Sequence, residues 1–128
     1  MRPATIPTDS VALAQVRKIF LGDCGSLDGA EIVREKVRVL LLSSTRFEVV
    51  EREELADAVL KGSVGVSQDV SEGTSSYSGI GLLRLVGRVS ERTIWAHEHR
   101  AGLTLTQSAS SRVANQMVAE LHKAAETR

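Results

Sequence analysis

With 128 residues, 42% of them hydrophobic, the chain can fill one core but not two. Its 16 basic and 16 acidic side chains cancel, with −2 over residues 1–57 (8 against 10) and +2 over 58–128 (8 against 6), which excludes a large field steering a polyanion. Phe20, Phe47, Tyr77 and Trp95 are its whole aromatic complement, too few for a base-stacking platform, so the core must be built of Val, Leu, Ile and Ala.

Residues 1–9 carry both prolines and several small polar side chains, and read as a flexible lead-in to a single α/β domain over 10–128. The opening "MRPATIPTDS" has no apolar core of signal-peptide length. No later segment approaches the roughly 18 apolar residues that span a bilayer, so no membrane insertion by this chain is expected. Alternation in "VRKIFLG", residues 16–22, predicts a strand with Ile19 and Leu21 on one face and Lys18 and Phe20 on the other. It ends in the turn "GDCGS". Cys24 in that turn is the only cysteine, which rules out an intrachain disulfide.

From Asp28, "DGAEIVREKVRVLLLSS" sets Val33, Val37, Leu40 and Leu41 at helical spacing, with Arg34, Glu35 and Arg38 turned outward. Asp28 followed three residues later by Glu31 predicts a capping box at its start. "RFEVVE" then reads as a short strand with Phe47 and Val49 on one face. The carboxylates Glu51, Glu53, Glu54 and Asp57 gather where that strand hands over to a predicted short helix, "EELADAV". Negative charge at a helix N-terminus is favoured by roughly 0.3–1 kcal/mol, so the grouping has a structural cause.

"AVLKGSVGVSQ" predicts a strand with Leu60, Gly62, Val64 and Val66 on one face. The Ser/Gly-rich "DVSEGTSSYSG" that follows predicts a mobile hairpin loop with Tyr77 as its one ring. "IGLLRLVGRV" and "TIWAHEHRAG" predict two further strands joined by a tight turn around residues 90–92, completing an antiparallel meander. A closing helix runs from "SASS" to about Ala125, with Val113, Met117, Val118 and Leu121 at helical spacing. The order β-α-β-short α-β-β-β-α implies an α/β two-layer sandwich, a mixed sheet of about five strands with two main helices packed on one face.

In the same order, "LLSSTRFEVVEREELADAVLKGSV", "RLVGRVSERTIWAHEH" and the closing helix resemble the periplasmic α/β domains of bacterial envelope assembly proteins. The likeness is to the curli-secretion-channel lipoprotein family, to flagellar outer-membrane accessory proteins and, more distantly, to the amino-terminal domain of the Tol-Pal B protein. Arg46, Phe47, Val49, Val50 and Arg52 match the strand signature of that group, Ala56, Asp57, Ala58, Leu60 and Gly62 the next strand, and Trp95 the hairpin tryptophan. "SER" stands where the group has a Thr-Gly turn, and neither a lipobox cysteine nor transmembrane hairpins accompany the match. The resemblance implies the fold and a periplasmic or outer-membrane-associated setting, while the missing hairpins argue against the pore formation of the channel-forming members.

Four groups of residues could carry chemistry. Cys24 could serve as a nucleophile if a base held it as thiolate. His97 and His99, two apart on a strand, share a face with Trp95 and could offer two imidazoles to zinc if a third ligand joined them. The carboxylates Glu51, Glu53, Glu54 and Asp57 have nothing in the sequence to shield them and raise a pKa for acid catalysis. Gly79 and Gly81 lack the third glycine of a dinucleotide fingerprint and sit inside a strand.

These readings lead to a non-enzymatic protein-interaction or assembly module that uses no cofactor and docks a protein partner or a second copy. Tyr77, Trp95, His97 and His99 are its candidate contact residues. No nucleic acid and no small-molecule substrate is expected. The competing reading is a small thiol- or metal-dependent hydrolase built on Cys24 or on His97 and His99; RNA binding is a third, by fold analogy alone.

Overall fold

The structure is a computed structural model that describes residues 9–71, 73–104 and 109–126, so the predicted lead-in lies, apart from Asp9, outside the described residues. Five strands form one sheet in the order β2-β1-β3-β4-β5: β1 (Lys18–Leu21), β2 (Glu48–Val50), β3 (Ala58–Ser71), β4 (Thr74–Gly87) and β5 (Thr93–Thr104). β1 runs parallel to both β2 and β3, while β3, β4 and β5 are antiparallel. The helices are α1 (Ser10–Gln15), α2 (Ala30–Leu42) and α3 (Ala109–Glu126). The mixed sheet and its helical layer are those the residue order predicts.

The helix spacings explain how the layers meet. α2 buries Ala30, Val33, Val37 and Leu41, and α3 buries Val113, Ala114, Met117, Val118 and Leu121. Beneath them lie Ile19, Leu21, Leu60, Val64, Leu83, Leu85 and Trp95, on alternate positions of their strands. Each fully buried large aliphatic contributes roughly 1.5–3 kcal/mol, so this seam supplies most of the stabilisation. α3 comes close to β4 because Gly81 has no side chain: a Cβ there would stand 2.8 Å from Val113 and 3.2 Å from Met117. Gly81 of "GIGLL" serves helix-on-sheet packing.

Several local expectations are corrected. α1 precedes the first strand, which is confined to Lys18–Leu21. Asp9 caps α1, its Oδ1 accepting from Ala12 N at 3.1 Å. At the other end Arg46 donates to three carbonyls, Val16 O at 2.6 Å, Leu13 O at 3.1 Å and Ala14 O at 3.2 Å. A helix this short is marginal alone; it exists because Leu13 and Val16 are buried and a guanidinium satisfies its last carbonyls. The predicted capping box fails too. α2 starts from Gly29, with φ 75° and no side-chain cap, because Asp28 is drawn off along β3, its carbonyl accepting from Val66 N at 2.7 Å.

The predicted helix "EELADAV" is reduced to a single 3₁₀ turn, Glu53–Leu55, because Ala58 already pairs with Ile19 in the sheet. The predicted loop around Ser71 is instead strand: β3 and β4 pair from Ala58↔Gly87 out to Ser71↔Thr74, with residue 72 outside the described residues. Its Ser/Gly composition suits strands poorly, but the backbone ladder continues regardless of side chains. Beyond β1, the segment after Gly22 lines the edge of β3, with Gly62 N and Val64 N donating to Asp23 O and Cys24 O at 3.0 Å each.

Candidate interaction surface

The residues singled out by chemistry separate in space. Cys24 is 3% exposed and its thiol contacts Gly22 O at 3.7 Å. Burial pushes the Cys24 thiol above its ordinary pKa, with Arg34 pulling it down less and Asp23 pushing it up further. Arg34 itself is spent on backbone, donating to Leu21 O at 2.8 Å and Gly22 O at 3.2 Å. A thiol held protonated, with no base bonded to it, behaves as a small apolar core group.

Trp95 is 3% exposed on the helix-covered side of β5, opposite Leu85. His97 stacks beside it, ring centroids 6.1 Å apart and planes 16° apart, and lies opposite Leu83. His99 follows, half-buried and opposite Gly81. The two imidazoles thus share a face as their spacing predicts, but that face looks toward the helical layer. Among the described residues no cluster of three His, Cys, Asp or Glu could hold a metal. Tyr77 stands half-buried in β4, paired with Gln68 and Thr104, where the sequence suggested a loop.

The acidic group disperses into separate tasks. Glu51 binds Arg38 at 3.0 Å and Glu54 lies 3.5 Å from Arg52, both at the exposed surface. Asp57 is a clip: one carboxylate oxygen, Oδ2, accepts from Arg17 N and Lys18 N at 2.9 Å each, fixing the entry of β1 beside β3. Those backbone bonds, first from Lys18 and then Arg17, hold the Asp57 carboxyl below the usual carboxylate range. A lowered folded value means the stabilisation is complete above the unfolded pKa and is lost as pH falls through the folded one. Because Asp57 is largely exposed, Asp57→Ala is expected to cost about 1 kcal/mol at pH 7. Urea unfolding of both proteins at pH 7 and at pH 3 checks this: the difference should shrink in acid.

One polar linkage escaped sequence reasoning. Ser44 Oγ accepts from Arg46 N at 3.0 Å and Phe47 N at 3.2 Å, and bonds His122 Nε2 at 2.8 Å. With two N–H groups pointing at it, the hydroxyl gives its own proton to His122, whose ring also stacks on Phe47 at 5.7 Å. The hydroxyl is fully engaged, so the pair clamps α3 to the turn before β2. Separated by 78 positions, its members share no local pattern.

What the helices leave open is the other side of the sheet and one long hairpin. β3 and β4 are 14 residues each. β1 supports β3 only over Ala58–Leu60, and β5 follows β4 only as far as Tyr77. The last pairs, Asp69↔Ser76 to Ser71↔Thr74, form an arm of two strands, with Val70 64% exposed. Two strands without further support are marginally stable in water. On the outer sheet side, Phe20, Val59 and Val86 floor a shallow groove rimmed by Lys61, Arg88, Glu53 and Glu91. No helix among the described residues is long and apolar enough to cross a membrane.

No protein-family model and no curated protein sequence matches the chain. Solved structures do share its fold. The PelC dodecamer from Paraburkholderia phytofirmans superposes with a TM-score of 0.60 at 15% identity, over 98% of this chain and 94% of that one. Protein CT253 from Chlamydia trachomatis gives 0.60 at 11% identity, over 88% and 99%. Lipoprotein GNA1162 from Neisseria meningitidis gives 0.56 at 12% identity, over 84% and 99%.

Proposed function

We propose that this chain is a non-enzymatic assembly module of the bacterial cell envelope that associates with further copies of itself or with a protein partner. The observation that carries this reading is the fold, shared nearly end to end with a protein solved as a dodecamer and with a bacterial lipoprotein. Two features of the surface support it: an arm of two strands that would gain partners on association, and a sheet side that no helix among the described residues covers. The likeness of "RFEVVER" and "ADAVLKG" to envelope assembly domains supports a periplasmic or outer-membrane-associated setting, and narrows the reading toward the curli-channel and flagellar accessory group.

Sedimentation velocity over a wide concentration range tests the association. Species heavier than one chain, growing with concentration, are expected; a single protomer-sized boundary throughout would remove self-association. Fractionation of the native host tests the setting, with the chain expected in the envelope fraction and its recovery with cytoplasmic proteins counting against it.

A further inference from the structure

The outer side of the sheet and the outer side of α2 carry complementary leftovers. Lys61 of β3 and Arg84 of β4 stand directly opposite each other in the antiparallel register. Like charges so placed repel and destabilise the pair. Neither makes an ion pair or side-chain hydrogen bond among the described residues. Glu98, one strand over and opposite Leu82, is held by Arg100 at 3.3 Å. Beside the two cations Leu82 is 47% exposed, and Ile80 and Ala96 are half-buried.

The helix side shows the reverse. Ile32, Val39 and Leu42 are 58%, 53% and 53% exposed, at positions that with Glu35 form one stripe opposite the buried Val33, Val37 and Leu41. An amphipathic helix of a lone two-layer body puts polar residues on that stripe. Glu31 and Glu35 flank it; Glu31 has no ion pair among the described residues, and Glu35 only a 3.5 Å contact with Arg38. Two cations border it, the half-buried Lys36 on one side and, on the other, Arg38, whose closer partner is Glu51 at 3.0 Å.

We propose that the outer sheet face of one copy seats the α2 stripe of the next, with Lys61 and Arg84 against Glu31 and Glu35 and with Leu82 and Ile80 against Ile32 and Val39. The inference rests on the self-association reading above and names the surfaces that carry it. The two patches lie on opposite sides of the sandwich, so each copy uses one of each. Such a head-to-tail contact propagates until it closes into a ring, or runs on as a filament where the rotation does not close.

Charge exchange tests it. Variant one carries Lys61→Glu and Arg84→Glu; variant two carries Glu31→Lys and Glu35→Lys. Alone, each sets like charges across every contact, and association about a hundredfold weaker is expected. Mixed in equal amounts, every alternating contact is again between opposite charges. The mixture should recover the wild-type sedimentation profile, and its recovery should weaken with salt. Circular dichroism confirms that both variants fold, and Leu82→Ser with Ile32→Ser, at exposed positions, provides a second pair that should also dissociate the assembly. If wild type assembles and both variants assemble as well as it does, the inference fails while self-association stands on another surface. If only variant one dissociates and mixing restores nothing, α2 is not the occupant. A wild type that stays monomeric overturns the inference together with the reading beneath it.

Discussion

Gly62→Ala is expected to be the most damaging single-methyl change in the molecule. Gly62 pairs with Leu83 in the middle of the longest strand pairing, and a Cβ there would collide with Leu82 O and stand 2.9 Å from Leu83 Cα. Those neighbours are backbone, so no rotamer change relieves the contact. The strands must part, and the ladder around Leu60, Leu83 and Leu85 parts with them. Overpacking against side chains costs typically 1–3 kcal/mol, and against backbone a value of about 3 kcal/mol or more is expected. For a domain whose whole stability is on the order of 5–15 kcal/mol, this leaves a largely unfolded population at modest urea. Gly81→Ala makes the comparison: its new methyl would meet the side chains of Val113 and Met117, which can shift, so the loss should be smaller. Urea midpoints of the two variants, measured side by side, decide the ordering, and equal midpoints would contradict it.

Trp95→Ala should follow closely, at about 3–5 kcal/mol. The ring is 3% exposed, lies opposite Leu85, and supports the stacked His97. Removing it opens a large cavity under the helical layer. Trp95→Phe keeps an aromatic ring in place and should cost about half as much. Because Trp95 is the only tryptophan, its fluorescence reports directly. Folded wild type should emit to the blue and shift to the red on unfolding. A tryptophan serving as a docking platform behaves differently, since its emission would already be red and its replacement would spare stability. Thermal unfolding of the alanine and phenylalanine variants separates the two roles, and Trp95→Phe should leave the sedimentation profile of the wild type unchanged.

His122→Ala gives a smaller readout of the clamp. It removes the acceptor for the Ser44 hydroxyl and the ring stacked on Phe47. A loss of about 1 kcal/mol is expected. Ser44→Ala costs more, since it also strands Arg46 N and Phe47 N, but in its background His122→Ala should cost less than it does alone, because the bond they share is already gone. Additive losses in the double variant would argue that Ser44 and His122 act independently.

What could be read from the residue order alone was whatever repeats at a fixed local spacing. The apolar positions of "IVREKVRVLL" and "RVANQMVAEL" specify two helices and the faces they bury, and "IWAHEH" alternates as a strand does, because side-chain direction follows backbone period in both cases. That was enough to order the elements and infer the mixed sheet with helices on one side. Tertiary structure decided the rest, wherever a residue's partner lies far along the chain. α1 persists because Arg46 reaches back to its carbonyls. Asp57 leaves its carboxylate neighbours to clip β1, and the Ser/Gly segment becomes an arm because a ladder begun at Ala58 keeps propagating. The cations opposed across β3 and β4 become visible only once register sets Lys61 against Arg84. Composition reports that charges balance overall, while only pairing reveals where the balance fails.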